Sequence, residues 1–280
     1  MQRTIGRKAQ VSGIGIHSGK PVTTNLLPAD INNGIAFKAA DGSIIKANFD
    51  NVYTTNMSTK IANNNCSIDV VEHLMAALWC TGIDNLIVEV DNVELPIGDG
   101  SSTDWVREIK SAGILDQSEK RKILRVEKTL EIREEDKYII ISPNDNPGII
   151  IDVSIDFAHP TIGQQSIIFD SNKDCFEDEF APARTFGFVQ DLEYLHSQGL
   201  GLGASSDNCV GVDHEDGIIN PEGLRFKDEF VRHKVLDCIG DLFLSGYYLN
   251  CRVKGYKTGH KMNNMIITKL FQDTSNYCLS

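Results

Sequence analysis

Apolar and polar positions alternate with a period of two through much of this 280-residue chain, and a few stretches switch to helical spacing. Val22–Leu27 reads as a strand ended by Pro28, Gly34–Lys38 and Ser43–Phe49 as short strands, and the asparagines at 63–65 as a turn. Ile68–Cys80 is apolar on nearly every side, which predicts a buried helix that Asp69 can cap and Gly82 can end. Ile83–Asp91 alternates again, Glu94–Gly100 is a turn-rich loop, and Ser101–Ala112 has helical spacing with Ser101 and Asp104 placed as a capping pair. Asp116–Lys122 is polar without periodicity and marks a domain boundary, giving units of residues 1–117 and 118–280. Strands are expected beyond it at Leu124–Ile132, Lys137–Ser142, Ile149–Phe157 and Gln165–Phe169, then a helix over Phe230–Asp241 and a strand over Tyr247–Val253.

The two halves echo each other. Val71-Glu72-His73 opens one helix and Val231-Arg232-His233 the other, and each helix is followed by a glycine (Gly82, Gly246) and a strand. On the second helix, at about 100° per residue, Asp237, Asp241 and Lys234 fall within roughly 100° of His233, and apolar residues fill the opposite arc. The plain reading of that stripe is the solvated face of an amphipathic helix. The alternative starts from the i,i+4 pair His233 and Asp237, which can converge on one divalent ion. In the first helix Glu72 and His73 are the only ionisable groups beyond the cap, and burying either without a partner costs several kcal/mol, about 3–5 for an unpaired charge. Two domains of one fold, face to face, would bring His73 to His233 and Asp237.

Composition narrows the function. A net charge of −12 argues against a general binder of nucleic acid or anionic membrane. No apolar run approaches the roughly 18 residues of a membrane span, and the first residues lead into no signal-peptide core. The seven cysteines are scattered and form no Cys-x-x-Cys pair, so reduced thiols in a cytoplasmic protein fit best.

An ordered set of motifs then resembles one family. Val71-Glu72-His73-Leu74, Leu95-Pro96-Ile97-Gly98-Asp99-Gly100-Ser101, Ala183-Arg184-Thr185-Phe186-Gly187-Phe188, Asp228 through Asp241, and Lys257-x-Gly259-His260-x-x-Asn263 occur in sequence. Together they resemble the UDP-3-O-acyl-N-acetylglucosamine deacetylases, zinc enzymes of the committed step of lipid A synthesis, from about Arg3 to Asn264. The resemblance implies an α+β fold of two similar two-layer α/β sandwich domains, with a β-α-β insert at about 187–212 forming a hydrophobic passage for an acyl chain. It implies a Zn²⁺ ion held by His73, His233 and Asp237, which leaves a position for water and can lower that water's pKa to about 7. Glu72 matches the general base, Thr185 and His260 match groups facing the tetrahedral oxyanion, and Asp241 matches the residue orienting His260. Whether Glu72 or His260 protonates the departing amine stays open at the level of sequence.

For the substrate, an acylated UDP-sugar, the family places Lys234 at the diphosphate, with Lys257 as a further candidate and His17 near the nucleotide end. Phe186, Phe188, Val189, Leu192 and Gly201 would line the sugar and acyl contacts. The sequence departs from the family at Ser58-Thr59-Lys60, where cysteines are usual. It departs again at Gly201 and Gly211, where bulkier residues are common, so a wider passage is expected. A zinc amidohydrolase acting on a different acylated amine is the alternative reading, and a monomer is expected because no apolar stripe is left uncovered.

Overall fold

The computed structural model describes all residues from Met1 to Ser280 and is a mixed α+β fold with several sheets and six α-helices. The helices are α1 (Glu72–Thr81), α2 (Thr103–Ser111), α3 (Phe176–Glu179), α4 (Leu192–Ser197), α5 (Glu229–Phe243) and α6 (His260–Phe271). Two sheets organise the rest. In the five-stranded sheet the strands lie in the order Ala9–Ile14, Pro21–Pro28, Leu86–Val90, Ile35–Lys38 and Ile44–Lys46. In the seven-stranded sheet the corresponding run is Leu130–Glu134, Lys137–Ser142, Tyr248–Tyr256, Ile149–Asp156 and Gln164–Asp170. Senses match as well as order: antiparallel, antiparallel, parallel, antiparallel across both runs.

The weak echo in the sequence therefore has a topological counterpart. In each half the strand latest in sequence, Leu86–Val90 or Tyr248–Tyr256, enters the middle of the sheet after a helix, because a strand parallel to its neighbour needs a crossover to return. Ile123–Val126 and Tyr277–Leu279 extend the second sheet at one end of its central strand. Between the edge strand Ile44–Lys46 or Gln164–Asp170 and the later helix α1 or α5, each half carries an insertion. The first is a small sheet of Val52–Thr54, Lys60–Ala62 and Ser67–Ile68; the second contains Phe186–Phe188, α4 and Val210–Asp213, whose two strands pair in parallel, with Gly217–Ile218 as a third strand. Helices α1 and α5 pack against each other, flanked by α2 and α6, and a single buried apolar cluster runs from Ile5 to Leu270.

Several local expectations need correction. Helix α1 begins at Glu72, not Ile68, because Ser67 and Ile68 are paired in a sheet and Val70 has a left-handed φ of 59°. Asp69 consequently caps nothing; its carboxylate accepts from Ser58 and from the Val70 amide and pairs with Lys60. The other end is as expected, with Gly82 at φ 75°. Helix α2 starts at Thr103, and Ser101 and Asp104 form no capping box: Asp104 pairs with Arg107 instead. The single strand expected over Leu124–Ile132 is two strands, broken at Glu127–Thr129. Helix α6 was not among the expected elements. Its apolar stripe of Met262, Ile266, Ile267 and Leu270 is interrupted by a buried asparagine, Asn263, which bonds to Asp241.

Candidate active site

Where α1 crosses α5, Gly240 lies against the backbone of Glu72 so closely that a Cβ there would sit 2.1 Å from the Glu72 carbonyl oxygen. A glycine inside a helix is costly and usually has a packing reason. Here the reason is that close approach brings the start of α1 onto the polar stripe of α5. That stripe is not solvated. His233, Asp237 and Asp241 are all buried, as are Glu72 and His73 opposite them.

His73, His233 and Asp237 converge, with potential ligand atoms within 4.8 Å of one another. His233 Nε2 lies 3.4 Å and His73 Nε2 3.8 Å from Asp237 Oδ1, and the two rings meet edge to face. The Ala183 carbonyl can only accept, so His233 Nδ1, 3.0 Å away, carries the proton and leaves the Nε2 lone pair facing inward. Burial holds both imidazoles below their usual pKa, His73 down to about 3, so both are neutral at pH 7. Lys234 Nζ donates to Asp237 Oδ2 at 2.8 Å, while Oδ1 and His73 Nδ1 are buried without a partner. Buried polar atoms are seldom left orphaned, and a neutral His pair with a carboxylate is a donor set suited to a divalent ion. The residues fit such an ion.

Glu72 stands beside this cluster. The Thr59 amide donates to its Oε2 at 3.0 Å, and Oε1 lies 3.9 Å from His260 Nε2. Burial, partly offset by His260 and reinforced by Asp241 and Asp237, pushes the Glu72 carboxyl up to about 8. His260, at the first position of α6, donates through Nδ1 to Asp241 Oδ2 at 2.8 Å. Burial opposes its charge, but the Asp241 carboxylate outweighs that and raises it to about 10, so His260 is an imidazolium at neutral pH.

The cluster lines a cavity of about 430 Å³. Thr185 and Lys234 line it, as do Phe186, Phe188, Val189, Leu192 and Gly201 of the second insertion; His17 lines it from the Gly-rich turn of the first half. His17 is held there by backbone bonds from Leu202 to His17 and from Gly203 to Ile16. Asp241 sits behind His260 rather than in the lining. Lys257 is not brought to the cavity: Asp136 and Asp156 pair with its Nζ at 2.8 and 3.2 Å, and the lysine expected at the diphosphate is left with Lys234 alone. Gly211 does not widen the passage, because the Ile219 side chain lies where its Cβ would be, 2.6 Å away. Gly201 has φ 69° and serves a turn.

Two residues that the sequence reading named without a role take part here. Thr59 donates to Asp241 Oδ1 at 2.6 Å and Asn263 donates to Oδ2 at 2.9 Å, so the carboxylate that charges His260 is fully bonded. No periodicity marks Thr59, whereas the lone glycine at 240 in a helical run was a legible signal of close packing.

A carboxylate able to take a proton, an imidazolium able to give one, and a ligand set for a divalent ion beside them define the class as a hydrolase. The chain matches the family described as UDP-3-O-acyl N-acetylglycosamine deacetylase (LpxC) over residues 2–272. It is 46% identical over 272 residues to the UDP-3-O-acyl-N-acetylglucosamine deacetylase of Geotalea uraniireducens, covering 96% of this chain and 88% of the relative. Identity is 43% over 277 residues to that of a Nitratiruptor species, with 99% and 92% covered, and 41% over 276 residues to that of Brucella melitensis biotype 2, with 97% and 96% covered. The chain belongs to this family, and it is a deacetylase of lipid A biosynthesis.

Proposed function

We propose that the chain hydrolyses the N-acetyl group of UDP-3-O-acyl-N-acetylglucosamine, releasing acetate and the free 2-amine, with Zn²⁺ at His73, His233 and Asp237. The observation that carries this reading is the buried, incompletely partnered ligand set with Glu72 and a charged His260 beside it. When bound, the zinc ion supplies a Lewis acid that polarises the acetyl carbonyl and acidifies water. Glu72 takes the proton of the attacking water, its carboxylate held beside the ligand set by the Thr59 amide. Thr185 and His260 face the oxyanion, and His260, kept protonated by Asp241, gives its proton to the departing amine. Lys234 meets the diphosphate, His17 the nucleotide end, Phe186 and Phe188 the sugar, and Val189, Leu192 and Gly201 the acyl chain.

The repeated strand order supports the division into two sandwich domains at about residue 117, with the site in their seam. No helix is long and apolar enough to cross a membrane. We place the protein in the cytoplasm with no nucleic-acid partner, on its acidic charge and unpaired cysteines. The test is zinc content and acetate release from a UDP-3-O-acyl-GlcNAc for wild type and Glu72→Ala. One zinc retained in both, with activity lost in the variant by about 10²–10⁴-fold, is expected. Full activity of Glu72→Ala would end the base assignment, and absence of acetate from wild type would end the substrate assignment.

A further inference from the structure

Thr59 is hydrogen-bonded both to Glu72 and to Asp241, the carboxylate that holds His260. Its hydroxyl donates to Asp241 Oδ1 at 2.6 Å, and its amide donates to Glu72 Oε2 at 3.0 Å. Asp241 belongs to α5 and Glu72 to α1, so the contact joins elements 182 positions apart for the hydroxyl bond and 13 apart for the amide bond. The remaining atoms of both carboxylates then have set tasks. Asp241 Oδ2 accepts from His260 and Asn263, and Glu72 Oε1 is left facing His260 Nε2.

The segment that presents Thr59 is itself held on both sides by one buried carboxylate. Asp69 Oδ1 accepts from the Ser58 hydroxyl at 2.6 Å, and Asp69 Oδ2 pairs with Lys60 at 2.8 Å. The Thr59 carbonyl accepts from the Val71 amide at 3.2 Å, just beyond Val70 with its left-handed φ of 59°. A β-branched residue seldom adopts that conformation unless its surroundings enforce it. Thr59 is 1% exposed and, being β-branched, has few rotamers to choose from.

We propose that Thr59 is a positioning residue for the hydrolysis: it aligns Glu72 and, through Asp241, His260 on the same reacting centre without touching substrate. The inference rests on the roles given to Glu72 and His260 above. Thr59→Val keeps the volume and the amide but removes the hydroxyl; Thr59→Ser keeps the hydroxyl. Loss of a hydrogen bond to a charged group predicts that Thr59→Val lowers kcat by about 10–100-fold. KM should stay within about twofold, since uniform substrate binding is untouched, and zinc content should stay at the wild-type level. Thr59→Ser should recover kcat to within a few-fold of wild type.

A structural role alone would lower kcat in Thr59→Val only as far as zinc content falls with it. Wild-type kcat in Thr59→Val, or equal loss in the serine and valine variants, overturns the proposal. Glu72→Gln run alongside separates the two readings. If it loses activity while Thr59→Val does not, only the positioning role fails; if it too is fully active, the proposed chemistry fails with it.

Discussion

Replacing Gly240 with alanine tests whether the approach of α1 to α5 sets the ligand geometry. The new Cβ would stand 2.1 Å from the Glu72 carbonyl oxygen and 2.8 Å from its carbonyl carbon, and both are backbone atoms that cannot rotate away. Ordinary carbon contacts begin near 3.5 Å, so the helices must part locally by on the order of 1 Å. Overpacking of this kind costs about 1–3 kcal/mol, which lowers the melting temperature by roughly 2–10 °C in a protein of this size. The fold should survive. The ligand set should not, because His73 follows Glu72 on α1 whereas His233 and Asp237 sit on α5, and coordination tolerates only about ±0.2 Å.

Zinc affinity is therefore expected to fall by at least about 10–100-fold, the range seen when groups that orient metal ligands are disturbed. Chelator competition on the folded variant measures the affinity, and thermal melting of the metal-free protein measures the packing cost separately. A Gly240→Ala variant that melts lower but binds zinc with wild-type affinity and turns over normally would refute the argument. It would show that the ligands are placed independently of the helix crossing.

Other outcomes follow from the same geometry. In the metal-free protein His260 is raised to about 10 from an ordinary 6.5, so its contribution to stability is complete below about pH 6.5 and is lost as pH rises through 10. Urea unfolding across that window should show this fall, and His260→Gln should lack it. Arg184 is buried against a fully buried Glu229, and Arg184→Met would leave that carboxylate unpaired at a cost of about 3–5 kcal/mol, read as a lower urea midpoint. Lys257→Ala should leave KM unchanged, because Asp136 and Asp156 hold Lys257 away from the cavity, whereas Lys234→Ala should impair turnover; steady-state kinetics on both variants decides it.

What the sequence determined by itself lies within a few residues along the chain. The i,i+4 spacing of His233 and Asp237, Glu72 beside His73, the glycine ending α1 and the alternation of Lys137–Ser142 are consequences of helix and strand periods, and the ordered motifs carried the family. Tertiary structure decided which charges were desolvated and which were neutralised at the surface. The stripe on α5 looked solvated because amphipathic periodicity cannot tell water from a second polar helix. That Lys257 pairs with Asp136 and Asp156 was not legible, because those partners, in a turn and at a strand end, lie about a hundred residues earlier. Asp69 looked like a cap until Val70 turned left-handed and redirected it to Ser58 and Lys60. Thr59 had no local signature at all, because its value comes from a bond to Asp241 that only exists once α1 and α5 have met.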